Sequence, residues 1–588
     1  MIKLLKYLKK IEWFYALCAV VFIVGQVWLD LKMPDYMNTI TQIAQGSINS
    51  LTGEAYELAD IWSYGGYMLL CAVGSMVCSI ITSVFVVRIA ADFSARLREE
   101  LYTKVQSFSM SEINKFSTAS LITRSTNDVQ QVQMLITMGL QMIIKAPITA
   151  VWAITKIAGK QWQWSLAVAI AVLVMVLGIT TILLLVIKKF SLLQILTDKL
   201  NQVTRENLSG IRVVRAYNAE GFQQNKFEEV NKEFTDTNLY ATKIMAFLSP
   251  LMSLIMNGIS LAIYWIGAYI INQASIMEFS GLFGDMVVFM SYGIQIIMSF
   301  MMLAMMFMTA PRSLVSARRI NEVLETKVLL EDGEGVGETK EKGTVEFNHV
   351  YFRYPDGNEN VLSDISFEAH TGDTVAFIGA TGCGKSSIVN LVSRFYDANS
   401  GEILIDGEDI RKYKKNELAK KIGYVSQKAV MFSGDIRSNV IFGDNNADDE
   451  TVEKAIEIAQ STSFVEDEKG GIDGRVAQNG TNFSGGQKQR LSIARAVARD
   501  AEIYIFDDTF SALDYRTDRE LRRALKEEMA DATCLIVAQR IGTIMDADLI
   551  LVLEDGRVVG KGTHKELLKT CPAYKEIAYS QLSEEELI

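Results

Sequence analysis

Asp373–Ile378, DTVAFI, runs directly into Gly379-Ala380-Thr381-Gly382-Cys383-Gly384-Lys385-Ser386, followed by Ser387 and IVNLVSRF. The first six residues read as a short buried strand and the last eight as the opening of a helix. The residues between them fit GxxxxGK[ST] in its strand–loop–helix setting. Glycines there let backbone N–H groups close around phosphate oxygens, and the helix N-terminus adds positive potential. Lys385 supplies a point charge suited to the β and γ phosphates of ATP, and the Ser386 hydroxyl suits a Mg2+ ligand. The carboxy-terminal part of the chain is thus expected to be an α/β P-loop domain.

Two further stretches belong with this loop. Ile503-Tyr504-Ile505-Phe506-Asp507 is a second apolar strand, ending in a carboxylate placed to hold Mg2+ directly or through water. Between the two strands stands Asn482-Phe483-Ser484-Gly485-Gly486-Gln487-Lys488-Gln489-Arg490, followed by an amphipathic helical pattern. A serine and two glycines at a helix start form a second anion cradle. One chain needs one cradle per ATP, so the second serves a nucleotide on another chain. That implies a dimer with ATP sandwiched at the interface.

Working outward, the remainder of the chain has a different solvent. The 588 residues are 49% hydrophobic and 22% charged, with a mean hydropathy of +0.17 and a formal charge of −11. The apolar content and the absence of repeats exclude a disordered or collagen-like chain. The acidic balance argues against a nucleic-acid partner. Residues 1–325 hold 26 Lys+Arg and 22 Asp+Glu, whereas 326–588 hold 32 and 47, so the two parts carry +4 and −15. All seven Trp fall in the first part, most near the ends of long apolar runs where interfacial anchors belong.

Six apolar stretches, near 13–32, 62–90, 131–157, 164–187, 246–273 and 282–309, reach the ~20 residues that a helix needs to cross a bilayer. Lys3, Lys6, Lys9 and Lys10 precede the first, and 88–128 and 188–245 are rich in both signs. The 33–60 loop lacks Lys and Arg but carries Asp35, Glu54, Glu57 and Asp60, and 274–281 also lacks basic residues. Positive-inside reasoning places both termini and the two long loops in the cytoplasm, with Lys156 and Lys160 as a small violation. Met1–Lys10 reads as an amphipathic surface helix leading into an uncleaved first span, since no small-x-small cleavage site follows. Short helices are expected at the tips of the long loops, near Ser109–Phe116 and Gly210–Ala216, where they could press on a soluble domain. The six cysteines are scattered without metal-ligand spacing, and none falls in the expected outside loops. Leu330–Gly343, Gly- and charge-rich, reads as a linker.

A six-span part followed by these motifs resembles an ATP-binding-cassette (ABC) exporter half-transporter of the type IV, multidrug class, over nearly the whole chain. The resemblance implies a multidomain fold: a six-helix all-α transmembrane domain over 1–325, a linker over 326–343 and the ABC nucleotide-binding domain over 344–588. It implies that Tyr354 stacks on adenine and that Gln427, in YVSQ, joins Mg2+ to the membrane-domain contact. Ser484, Gly485, Gly486 and Gln487 match the signature that contacts the partner-site ATP. Ser511-Ala512-Leu513-Asp514 match the loop that crosses to the other nucleotide, and the two tips match coupling helices. The compact half-transporter layout suggests a bacterial plasma-membrane protein.

The chain departs from that family pattern at two catalytic positions. A glutamate that polarises the attacking water is replaced by Asp508, which falls back by ~1.5 Å on a fixed backbone. A misplacement on that scale can lower rate ~100-fold. A histidine that contacts the γ-phosphate is replaced by Gln539, which can donate a hydrogen bond but carries no positive charge. Phe483 stands where Leu is usual, and Gln478 where Glu is common. Together these imply a site that binds ATP but hydrolyses it slowly, and hence a heterodimer whose competent site is completed by this chain's signature. A homodimer with two slow sites is the runner-up. Apolar or amphipathic drugs or lipids are the expected cargo, with a peptide exporter or an ATP-gated channel or sensor as alternatives. Met286, Met290, Met298, Met301, Met302, Met305, Met306 and Met308 suit a surface that fits several apolar shapes, and equally suit ordinary packing. Lys145, inside the third span, faces a cavity or snorkels, and Asp285 is expected to be solvated at the outer edge.

Overall fold

The structure, a computed structural model, describes residues 2–45, 58–158, 160–273, 276–442 and 447–587. Glu54, Glu57 and the side chain of Met308 lie outside the described residues. After a short 3-10 helix, Ile2–Tyr7, come α1 (Lys10–Ala44), α2 (Leu58–Gln106), α3 (Met110–Phe116), α4 (Thr118–Thr123), α5 (Val129–Ile157), α6 (Trp162–Ser209), α7 (Ile211–Ala216), α8 (Glu220–Ala246), α9 (Leu248–Gln273) and α10 (Ile276–Glu325). The chain forms two compact units, one of Met1–Gln106 with Ala119–Glu325 and one of Ser107–Thr118 with Thr326–Ile588.

Among the described residues the first unit is built of helices, and six helical segments there are long and apolar enough to cross a membrane. A lipid solvent leaves backbone N–H and C=O groups only helices or closed barrels in which to pair. Trp164 is wholly buried, donates from Nε1 to the Ile263 carbonyl at 3.2 Å and packs on Phe289. Val27, Leu31, Ile259 and Ile296 fill the space around them, whereas Leu184, Leu254 and Trp265 point outward, as suits a lipid-facing surface. The helices run well past the apolar stretches read from sequence; α2 and α6 are 49 and 48 residues long.

Several of the charges inside this unit are paired. Lys145 meets Asp30 of α1 at 3.5 Å, and Ser75 donates to the same carboxylate. Lys156 pairs with Asp35 at 2.7 Å and Lys160 with Asp285 at 2.6 Å. The two lysines that stood against the charge rule are thus neutralised by acids, and Asp285 is an ion-pair partner rather than simply solvated. Of the sixth-span methionines, Met286 and Met306 are buried while Met298 and Met305 are exposed, so the run is split between packing and surface.

The second unit holds strands β1 (Val345–Phe352), β2 (Leu362–Ala369), β3 (Thr374–Gly379), β4 (Ser400–Ile405), β5 (Glu408–Asp409), β6 (Ile422–Val425), β7 (Gly434–Asp435), β8 (Arg475–Val476), β9 (Ile503–Asp507), β10 (Thr533–Val537), β11 (Leu549–Glu554) and β12 (Arg557–Gly562). Their main sheet has the order β12-β11-β3-β10-β9-β6, parallel except for the β11–β12 edge pair. β9 is buried along its whole length, the continuous apolar strand that a sheet covered on both faces requires. A four-stranded antiparallel sheet, β2-β1-β4-β5, lies in the same unit.

Register sets which strand ends meet. Phe377 of β3 pairs with Val537 of β10, and Val537 pairs with Asp507 of β9. The Gly379–Ser386 loop, Asp507-Asp508 and Ala538-Gln539 therefore all leave the carboxyl ends of three neighbouring strands, the edge at which open α/β sheets bind ligands.

Helix α3 belongs to this second unit. Ser109 caps it, with Glu112 accepting from the Ser109 backbone N–H at 2.7 Å, and Asn114 donates to the Tyr396 hydroxyl at 3.1 Å. The Leu330–Gly343 stretch has no regular structure but is laid along the unit: Gly333 and Gly335 donate to the carbonyls of Tyr413 and Lys412.

Candidate nucleotide site

The strand β3 ends at Gly379, and helix α11 (Lys385–Val392) begins six residues later. Gly384 sits at φ +99 as the N-cap of α11, a left-handed conformation that favours glycine, and a Cβ there would meet a Leu362 methyl at 2.7 Å. A Cβ on Gly379 would lie 2.1 Å from the Leu553 carbonyl oxygen. The loop is thus closed at both ends by residues that tolerate no side chain. Lys385 is buried, and its ammonium donates to the Gly379 and Ala380 carbonyls at 2.8 Å each and lies 3.6 Å from Cys383 Sγ. Between them, Thr381 is exposed and Gly382 takes a φ of +86.

Ser386 Oγ donates to Asp507 Oδ1 at 2.9 Å, joining the loop to the end of β9. Burial, reinforced by the neighbouring Asp508 charge, pushes the Asp507 carboxyl above the usual carboxylate range, against the lowering effect of the Ser386 bond. Ser387 Oγ lies 2.9 Å from the Tyr354 hydroxyl, and the Tyr354 ring stands edge-on to Phe352 and Tyr396. Tyr354 is therefore fixed beside the first turn of α11 by a side-chain bond spanning 33 positions.

Asp508 takes φ +48, a left-handed conformation that Asp adopts more readily than most residues, and its backbone N–H donates to the Val537 carbonyl. Two amides converge on one of its oxygens: Gln539 Nε2 donates to Oδ2 at 2.8 Å and Gln427 Nε2 donates to it at 3.2 Å. The crevice beside them, lined by Asp508, Ser511, Val537 and Gln539, measures about 10 Å3, room for a single water. Residues 81 and 31 positions away from Asp508 thus join it in one hydrogen-bonded cluster. None of the three histidines belongs to it. His349 pairs with Asp364, His370 lies beside Glu368, and His564 is buried against the Tyr574 hydroxyl and the Leu587 carbonyl.

Ser484 caps the helix Gly485–Val497: its hydroxyl accepts from Gln487 N, and Gln487 Oε1 accepts from Ser484 N at 2.8 Å. Gly485 has open space where a Cβ would be, while one on Gly486 would sit 3.5 Å from the Ala512 carbonyl. Phe483 is buried edge-on against Phe464. Asp514 caps the helix Tyr515–Glu528 by accepting from Thr517 N at 3.0 Å, and this bond holds its carboxyl below the usual range. Gln478 lies in a short 3-10 turn, Gln478–Gly480.

The pairing of Lys145 with Asp30, and of Tyr292 with Asp35 and the Leu31 carbonyl, was missed from sequence. A lone acid inside an apolar helix was the available signal for Asp30.

Residues 14–319 match the ABC transporter transmembrane region and residues 362–511 match the ABC transporter family. An ABC transporter ATP-binding protein of Mycobacterium tuberculosis is 36% identical over 521 residues, 88% of this chain and 87% of the relative. YfiB of Bacillus subtilis is 35% identical over 90% of this chain and 91% of its own length. The ATP-dependent lipid A-core flippase of Pseudomonas aeruginosa is 30% identical over 86% and 83%. A bacterial Atm1-family ABC exporter, solved with ATP bound, superposes with a TM-score of 0.77 at 24% identity, covering 96% of this chain and 99% of that one, and so shares its fold. The chain belongs to the ABC transporters: a multi-pass membrane region and an ATP-binding cassette in one polypeptide.

Proposed function

We propose that this chain is one half of an ATP-driven exporter for amphipathic molecules or lipids, and that its own phosphate loop forms the slower ATP site of a heterodimer. The observation that carries the reading is the cluster at Asp508. Its short carboxylate is held by two neutral amides, Gln539 and Gln427, so the position from which a base would orient water is tied into a hydrogen-bonded knot of neutral partners. Next to it the gripping apparatus is complete. In this reading Tyr354 takes the adenine, and the Gly379–Ser387 backbone N–H groups with Lys385 take the phosphates. Ser484, Gly485, Gly486 and Gln487 close over the ATP held by the partner chain, and Asp514 lies on the loop between the two sites.

A Mg2+ ion fits Ser386 and Asp507, with Gln427 close by. Asp507 is a buried carboxylate whose side-chain hydrogen bond goes to a neutral hydroxyl, and its upward-shifted pKa reflects an unmet need for positive charge. Bound there, the ion would neutralise phosphate charge. Among the described residues there is no group of three or more His, Cys, Asp or Glu able to hold a metal by themselves, in keeping with a cation shared between few protein ligands and a phosphate.

The membrane part, residues 1–325, would carry the cargo, with 326–343 joining it to the cassette, 344–588. The lysine-rich start and long charged loops favour a cytoplasmic position for both termini and the cassette in a bacterial plasma membrane. A second chain is further supported by α7, where Ile211 and Val213, with Tyr217 just beyond, are exposed in an otherwise polar, water-facing region. A relative named as a lipid A-core flippase favours lipid-like cargo over peptides.

The experiment is ATP binding and turnover of the purified lone chain in lipid nanodiscs. Tight ATP binding with very slow hydrolysis is expected, and brisk hydrolysis by the lone chain overturns the heterodimer reading. Dye efflux and lipid-analogue flipping, measured with and without the partner, then separate drug from lipid cargo.

A further inference from the structure

The helix Pro572–Gln581 ends on a side chain that reaches 40 positions back in the sequence. Gln581 Oε1 accepts from the Ile541 backbone N–H at 2.8 Å, and its Nε2 donates to the Gln539 carbonyl at 2.8 Å. The amide thus pairs with the backbone on both sides of Arg540, as a neighbouring strand would. Gln539 points its own side chain the other way, to Asp508. The helix that presents Gln581 is itself anchored. Tyr574 and Ala578 are fully buried, and His564 bridges the Tyr574 hydroxyl at 2.7 Å and the Leu587 carbonyl at 3.1 Å, which folds the chain end back onto the cassette. From Leu587 to Asp508 there is a continuous path of packed and hydrogen-bonded groups within one unit.

We propose that Gln581 is a positioning residue for the ATP site: it fixes the backbone at Gln539 so that the Gln539 amide stays on Asp508. This rests on the proposed function, in which Gln539 and Asp508 govern the slow step. A displacement of a reacting group by about 1 Å can change rate ~100-fold. A two-bond backbone clamp, part of whose restraint the strand register still supplies, is expected to be worth less, roughly three- to tenfold in kcat. The KM for ATP stays within about twofold, because Lys385 and the loop are untouched.

The test is the ATP dependence of hydrolysis, as kcat and KM, at this chain's own site in the complete two-chain transporter in nanodiscs, with the partner's phosphate loop disabled, for Gln581→Ala, Gln539→Ala and the double variant. Thermal unfolding shows whether each variant remains folded. The expected result is a lowered kcat in Gln581→Ala at unchanged KM, with no further change when it is added to Gln539→Ala. Equal effects of Gln581→Ala in both backgrounds overturn the clamp, because the residue then acts through stability alone. An effect of Gln539→Ala with none of Gln581→Ala also sinks the clamp while leaving the site reading intact. If Gln539→Ala is silent, the site reading itself fails and the clamp falls with it. Gln581→Glu adds a signature that a merely structural role would not produce. Its carboxylate can accept from Ile541 N–H but cannot donate to the Gln539 carbonyl, and protonation restores the donor. Activity relative to the parent chain therefore rises as pH is lowered toward the carboxyl range. A flat ratio across about pH 5 to 8 counts against the proposal.

Discussion

The two sides of the nucleotide site follow different rules. On the gripping side, every feature is dictated by close backbone approach and a single charge: two glycines with no room for a Cβ, a buried lysine, and a serine on Asp507. On the water side, the ends of β9 and β10 deliver a shortened acid and one amide to a crevice of about 10 Å3, and Gln427, beyond β6, adds a second amide to the same carboxylate oxygen. On the proposed function, holding ATP and splitting it are therefore separable in this chain. A protein can lose the second without touching the first, because binding needs many weak donors whereas hydrolysis needs one group within a fraction of an ångström.

The largest expected effect tests the gripping side. Lys385→Ala removes the only side-chain charge in the loop. Two charge-assisted bonds to phosphate oxygens are worth ~3 kcal/mol or more together, so ATP affinity should fall by at least about 100-fold by calorimetry. A loss under about tenfold would mean that the loop is not the phosphate site.

The next effect contrasts this chain's acid with the cradle proposed to close over the partner's ATP. In the complete transporter, Ser484→Ala with Gly486→Glu should lower turnover by roughly 100-fold, since a Glu side chain would project into the cradle beside Ala512 and Leu513. Asp508→Ala should change turnover less than about threefold. The opposite ranking would make this chain's own site the productive one. A smaller, opposite change sharpens the same contrast: Asp508→Glu with Gln539→His restores length and a titratable partner, and should raise hydrolysis at this site about tenfold. A double variant no faster than the parent would place the slow step elsewhere.

Much of the molecule is open to reading from the chain alone, for identifiable reasons. The phosphate loop is contiguous, so Gly379 to Ser386 announce both geometry and chemistry. The six spans need only length and apolarity. What could not be read is what distant residues do to one another. Lys145 is an isolated oddity until Asp30 is placed 3.5 Å away, and Lys156 and Lys160 break the charge rule until Asp35 and Asp285 answer them. The substitution at 508 is visible in sequence, but the convergence of Gln427 and Gln539 on one oxygen depends on β6, β9 and β10 lying side by side. Gln581 carries no local signal at all, because its partners are backbone groups 40 and 42 positions away.

The smallest effect concerns Asp507, where the two sides meet. Its carboxyl is raised by burial and by Asp508, so the folded state holds a proton there more tightly than the unfolded chain does. The sign follows from linkage: an acid with a raised folded value favours folding most below its unfolded value, and that contribution is lost as pH rises through the folded one. At about pH 7.5 without divalent cations, Asp507 thus opposes folding. Asp507→Asn keeps the shape and a bond to Ser386 while removing the charge, and should stabilise the cation-free protein by on the order of 1 kcal/mol, or ~2–4 °C in the midpoint of the cassette transition. The gain should shrink as pH is lowered, because the parent carboxyl then takes up the proton that its burial favours. Adding Mg2+ and ATP should reverse the order, because the parent then gains a charge-neutralising ligand that the variant cannot hold. Scanning calorimetry at about pH 5, 6.5 and 7.5, with and without Mg2+ and ATP, checks all three statements. A variant no more stable than the parent at the highest of these pH values would show that the strand end already solvates Asp507, and the distinction between a gripping side short of positive charge and a water side whose acid is held by neutral amides would lose its physical basis.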